Sequence, residues 1–140
     1  MTVTDFLLPV FVEVFLIFVL MAFMGVHRSR SLTSGEIKLE DVALDNTNYP
    51  ARAKQFANSF NNQFELPMLF FVLIGFILIT RVGDILLLIL VWIFVVSRLL
   101  HAYVHTTSNN VDWRFRAYAL GCVALFTMWA VFAFKILTAA

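Results

Sequence analysis

The side chains best equipped for chemistry fall in three windows of an otherwise apolar chain: NNQFELP (61–67), SRLLHAYVH (97–105) and RFR (114–116). At helical spacing, Lys54, Asn58, Asn61 and Glu65 share one face, at i, i+4, i+7 and i+11. Arg98, His101 and His105 share another, at i, i+3 and i+7. An arginine fork binds a carboxylate in bidentate fashion, and a glutamate can receive an ammonium. A cluster of this kind therefore suits a small zwitterionic or anionic ligand. The plainer alternative is a structural Glu65–Arg98 pair, with amides and histidines bonding between helices. For that pair alone the structural reading is the better one. For the whole cluster a binding site is favoured, because two histidines, several amides and a second arginine exceed what one ion pair needs. His101 and His105 form an HxxxH pair with no acid or cysteine at ligand spacing, so no metal site is expected. The single cysteine, Cys122, lies in an apolar segment and excludes an internal disulfide.

These residues need elements to hold them, and the composition states which. Of 140 residues 61% are apolar and 14% charged, which is the signature of an integral membrane protein. A net charge of +1 argues against nucleic acid as a partner. Four apolar stretches predict an all-α bundle in a single domain, residues 1–140, with spans over 6–26, 64–80 (extended from 51), 85–105 and 117–137. The first stretch is too long for a signal-peptide core and reads as retained. RVGD (81–84) and TTSNNVD (106–112) are short connections that make their flanking spans antiparallel. The connection over 28–50 is polar and reads as an aqueous loop with one short helical turn.

Basic residues set the expected orientation. Arg28, Arg30, Lys38, Arg52, Lys54, Arg114 and Arg116 lie at one end of the spans, and Arg81 and Lys135 at the other. The positive-inside rule then places the 28–50 loop in the cytoplasm and both termini outside. Trp113 and Tyr118 sit where aromatic interface anchors are expected. Folding spans two and three about residue 82 puts Glu65 level with position 99, beside Arg98, and an ion pair between them is expected. Folding about residue 109 puts Arg114 level with position 104. Arg28 closes the set from the end of span one. Intramembrane ionisable groups cost about 2.5–3.5 kcal/mol each on insertion scales, so such convergence calls for a reason.

NNQFELP together with SRLLHAYVHTTSNNVDWRFR resembles the MAPEG superfamily, small four-helix membrane proteins of eicosanoid and glutathione metabolism, and most closely a bacterial-type branch of it. The resemblance covers the chain from about Arg28 to its C-terminus. It implies a homotrimer in a bacterial inner membrane, with glutathione as co-substrate between subunits near the cytoplasmic face and a lipophilic small molecule entering from the bilayer. By motif, Asn62 and Glu65 match the pair on helix two that holds the glutathione backbone, and Arg98 and His101 the basic pair on helix three. Arg114 matches the arginine implicated in stabilising the thiolate, which makes it the catalytic candidate. Arg28 or Arg30 is the loose counterpart of a basic residue ending helix one. The chain departs from characterised enzymes on helix two, where Asn58 and Asn61 stand in place of an arginine, and on helix three, where His105 replaces a frequent tyrosine.

The leading functional expectation is a glutathione-dependent transferase or peroxidase acting on lipophilic electrophiles, with Arg28, Asn62, Glu65, Arg98, His101 and His105 binding glutathione. A second is a non-catalytic subunit of a larger membrane complex. A third is a small proton-coupled transporter using Glu13. Glu13 by itself reads as an outer-leaflet residue that reaches the interface or bonds to a neighbour. Ala117 and Gly121, small residues at i, i+4, are expected to permit close helix approach in the oligomer.

Overall fold

The computed structural model describes residues 1–138, and every regular element in that range is helical. In chain order these are α1 (Val3–Thr33), α2 (Ala51–Asn61), α3 (Leu66–Thr80), α4 (Ile85–Thr106) and α5 (Val111–Thr138). Short 3₁₀ turns occupy Leu39–Val42, Asn46–Asn48 and Asn62–Phe64. With α2 and α3 taken as one segment, Ala51–Thr80, four segments are long and apolar enough to cross a membrane. The chain has the four-span, all-α membrane fold expected from its sequence.

The ends of the helices follow local chemistry. The Thr2 hydroxyl accepts from the Asp5 backbone N–H at 3.3 Å, and the Asp5 carboxylate accepts from the Thr2 N–H at 2.7 Å. This capping box satisfies two of the donors that a helix start leaves unpaired. Asp84 caps α4 by accepting from the Leu87 N–H at 2.9 Å. Arg81 ends α3 in the left-handed region at φ 58°. α1 has 31 residues, and at 1.5 Å per residue it is about 46 Å long. That exceeds a hydrocarbon core of about 30 Å, so α1 is longer than a span needs. The connection after α1 contains two short 3₁₀ turns where one was expected.

The second span is not continuous. Pro67 has no N–H to give the Gln63 carbonyl, and its ring crowds that carbonyl, so an α-helix cannot run through. The backbone tightens to 3₁₀ at Asn62–Phe64, turns at Glu65 (φ −89°, ψ −99°) and restarts as α3.

α4 is the central helix, packed on α1, α2 and α5. The main core gathers Phe6, Phe70, Leu73, Ile77, Val91, Phe94, Val95, Leu125 and Met128. A smaller cluster lies toward the other end, where Leu20, Phe56 and Ala102 meet with Leu16 and Phe60 against them. Large apolar side chains on the outer faces, Phe11, Phe15, Phe18 and Phe126 among them, are exposed, as a lipid-facing surface requires. Gly121 is used inside the bundle, where a Cβ would stand 2.7 Å from the Ser97 Oγ. It lets α5 close on α4 within one chain, whereas the sequence reading gave this small residue to contacts in the oligomer.

Candidate functional site

Arg98 is fully buried at the centre of the bundle. Its Nη2 donates to the Asn62 Oδ1 at 2.5 Å, to the Asn62 carbonyl at 3.3 Å and to the Gln63 Oε1 at 3.4 Å. The Asn62 Nδ2 in turn donates to the Glu65 Oε2 at 2.8 Å. Asn62 thus stands between the two charges. Glu65 and Arg98 form no direct ion pair, and the only one among the described residues joins Lys135 to Asp84 at 2.7 Å. This corrects the expected Glu65–Arg98 pair. The hairpin count gives depth on two continuous helices, but the 3₁₀ turn and the break at Glu65 reset the helical phase. Asn62 and Gln63 swing onto Arg98 while Glu65 is left exposed beside them.

His101 and His105 follow on the same face of α4. Both are buried, with ring centroids 5.5 Å apart, and His101 lies 5.9 Å from the Tyr118 ring. The Arg114 Nη1 donates to the Asn109 Oδ1 at 2.6 Å, and Asn109 takes a left-handed conformation (φ 50°) in the α4–α5 connection. From α2, the Gln55 Nε2 donates to the His105 carbonyl and the Arg52 Nη1 to the Thr106 carbonyl, each at 2.6 Å. These bonds satisfy carbonyls that the end of α4 would leave unpaired, and they fix α2 to the site.

The result is a cavity of about 260 Å³ lined by Asn62, Glu65, His101, His105, Val111, Arg114, Phe115 and Tyr118. Five of the predicted site residues, Asn62, Glu65, His101, His105 and Arg114, line this one pocket, with Arg98 directly behind Asn62. An apolar groove lined by Leu66, Leu69, Cys122, Leu125, Phe126 and Trp129 lies between α3 and α5. Leu66 follows Glu65 directly, and Cys122 stands one turn beyond Tyr118, so the groove begins close to the pocket along both α3 and α5.

Arg28 does not join the set within one chain. Its guanidinium stacks 4.9 Å from the Tyr49 ring centroid, in a second cavity of about 460 Å³ lined also by Asp45, Thr47, Lys54, Asn58 and Asn61. The hydroxyl and backbone N–H of Thr47 hold the Asp45 carboxyl there below the usual carboxylate range. Asn58 and Asn61 therefore belong to the Arg28 cavity, and Asn62 and Glu65 to the other. The tight turn at Asn62 divides the face that continuous helical spacing would have kept together.

Three residues stand elsewhere than the sequence suggests or were missed by it. Tyr118, expected as an interface anchor, lines the pocket. Its position one turn after Arg114 was the available signal. Gln63 and Glu13 are both buried, Glu13 fully and with neither oxygen hydrogen-bonded, so it neither reaches the interface nor bonds to a neighbour as expected.

A four-span membrane bundle with an asparagine–glutamate pair and two arginines at one end of its spans is a recognisable class of small membrane protein. The MAPEG family model matches residues 6–134, and the chain belongs to that family, some of whose members use glutathione. No curated protein and no solved structure matches the chain.

Proposed function

We propose that the protein is a glutathione-dependent transferase or peroxidase acting on lipophilic electrophiles. The observation that carries this reading is one pocket holding an anchored acceptor, Glu65 fixed by Asn62, and a cation, Arg114, held by Asn109 and without a carboxylate partner among the described residues, beside an apolar groove. Glutathione offers an ammonium for Glu65, carboxylates for arginine forks, and a thiol whose reference pKa of about 8.5 leaves it mostly protonated at neutral pH. Arg114 near the sulfur lowers that pKa, and the thiolate attacks an electrophilic carbon carried in the groove, forming a carbon–sulfur bond as the leaving group departs with its electron pair, chloride in the case of a chloroarene. With a hydroperoxide, two glutathione molecules give an alcohol, water and a disulfide.

The separation of Arg28 from the other residues supports a site completed between subunits. The Arg28 cavity supplies two cations, Arg28 and Lys54, against one carboxylate, Asp45, with three amides, Asn46, Asn58 and Asn61, and a neighbour's copy of it provides the second carboxylate clamp in a homotrimer. Both termini lie outside the cytoplasm of a bacterial inner membrane, with the Arg28, Arg114 and Arg116 end inside.

The test is calorimetric titration of glutathione at millimolar concentration into the protein in lipid nanodiscs, with conjugation to 1-chloro-2,4-dinitrobenzene measured alongside. Binding with turnover supports the reading. Neither binding nor turnover refutes it and leaves a non-catalytic subunit.

A further inference from the structure

The bundle core is not uniformly apolar. Val10 and Val12 of α1 pack against the main cluster, which contains Phe94 and Val95 of α4. Leu16 and Leu20 of α1 pack with Ala102 of α4 in the smaller cluster. α1 and α4 therefore run side by side in the same direction, and the two clusters leave a gap between them. Glu13 is about 4.5 Å beyond Val10 along α1, and Arg98 about 4.5 Å beyond Val95 along α4. Gln63 falls in the same gap, between Phe60 of one cluster and Leu66 of the other. Glu13, Gln63 and Arg98 thus form one polar layer, and each is at most 1% exposed.

Within that layer the hydrogen bonding is lopsided. The Arg98 Nη2 reaches Asn62 and Gln63, whereas its Nε and Nη1 have no partner among protein atoms. Neither Glu13 oxygen has one either. The Gln63 Nε2 is used locally, donating to the Ser59 carbonyl at 3.1 Å. Arg98 is the one other charged side chain in that layer. A buried carboxyl facing a buried guanidinium in a low-dielectric layer interacts strongly with it even without direct contact.

We propose that Glu13 is a positioning residue for the site, a counter-charge on α1 that holds Arg98 in the polar layer so that Asn62, and not Arg98 itself, engages Glu65. Without that counter-charge, Glu65 is the remaining carboxyl within reach of Arg98. The two then pair directly, Asn62 is displaced, and Glu65 is no longer open to a ligand ammonium. Glu13 touches no part of the pocket and takes no direct part in chemistry. The proposal depends on the glutathione reading only for its affinity arm.

The experiment uses the full chain in lipid nanodiscs, wild type, Glu13→Gln and Glu13→Asp, with the asparagine side chains ¹⁵N-labelled. The Asn62 amide resonance is assigned by its loss in Asn62→Leu. Glu13→Gln should shift that resonance, although Glu13 makes no hydrogen bond to Asn62, and Glu13→Asp should return it toward wild type. Glutathione affinity should fall about tenfold in Glu13→Gln, the scale on which removing an orienting partner acts, and recover in Glu13→Asp. An unchanged Asn62 resonance in a folded Glu13→Gln protein overturns the proposal, whatever happens to stability. If wild type binds no glutathione, the functional reading fails and the resonance still decides the role of Glu13. If Glu13→Gln does not fold, Glu13→Gln/Arg98→Gln decides: recovery of folding shows that the unbalanced arginine was at fault, and failure to recover overturns the pairing.

Discussion

Asn62 bears the greatest weight of any single side chain in the site, because it accepts from Arg98 and donates to Glu65 at once. Replacing it with leucine keeps the volume and removes both bonds. The Arg98 bond is short, charge-assisted and part-buried, and such bonds contribute about 1.5–3 kcal/mol. The Glu65 bond is exposed to solvent and adds at most about 1 kcal/mol. Unfolded chains in a membrane also find partners, and polar bonds between membrane helices measure about 0.6 kcal/mol on average. That lowers the expected loss to about 1.5–3 kcal/mol, most of it from the guanidinium, which keeps only its longer bonds to the Asn62 carbonyl and the Gln63 Oε1. Asn62→Asp is the informative contrast. It keeps an acceptor for Arg98 and makes it an anion, but it loses the donor to Glu65 and sets a like charge beside it. Reversible unfolding in mixed micelles should show Asn62→Leu clearly destabilised and Asn62→Asp close to wild type. Glutathione titration should show both binding poorly. If Asn62→Leu is within about 0.5 kcal/mol of wild type, the size expected of an unimportant surface change, the relay contributes nothing and the reasoning fails.

Other expectations follow from particular contacts. Gly121→Ala puts a Cβ 2.7 Å from the Ser97 Oγ and should destabilise the α4–α5 pair by about 1–3 kcal/mol, with partial recovery in Gly121→Ala/Ser97→Ala, read by unfolding midpoints. Partial burial pushes the Asp84 carboxyl up, but the N–H groups of Leu87 and Leu86 and the Lys135 ammonium outweigh it and hold the group below the usual carboxylate range. Its folded pKa is therefore the lower one, so its contribution is complete above the unfolded value of about 3.9 and is lost as pH falls through the folded value. Asp84→Asn, which keeps a good cap, should flatten that acid limb in a stability-against-pH series and change neutral-pH stability by less than about 1 kcal/mol. Arg114→Ala should slow conjugation more than it weakens glutathione binding, and Arg98→Ala the reverse, as kcat and calorimetric affinity on the same preparations will tell.

The spans were legible because apolar length and turn chemistry are local: RVGD and the Asp84 cap stop and restart helices wherever they occur. Depth was nearly legible, since counting back from the α3–α4 turn put the second span within three residues of its true partner on Arg98. Azimuth was not. The count assumed a continuous helix, and Pro67 forces a break whose rotation decides that Asn62 meets Arg98 and that Asn58 and Asn61 face Arg28 instead. Glu13 was misread for a related reason. A lone acid two turns into a span looks interfacial until the register of α1 on α4 is known, and nothing in the sequence around Val10–Leu16 fixes that register. Tyr118 needed only its spacing from Arg114 to be noticed.

The central claim is that this pocket activates a thiol beside Arg114. The ultraviolet absorption of the thiolate, followed against pH with glutathione bound to the protein in nanodiscs, reads that directly. The account predicts a titration midpoint below the reference thiol value of about 8.5, moving back toward it in Arg114→Ala. A bound thiol that titrates as it does in free solution, with no change in Arg114→Ala, would contradict it.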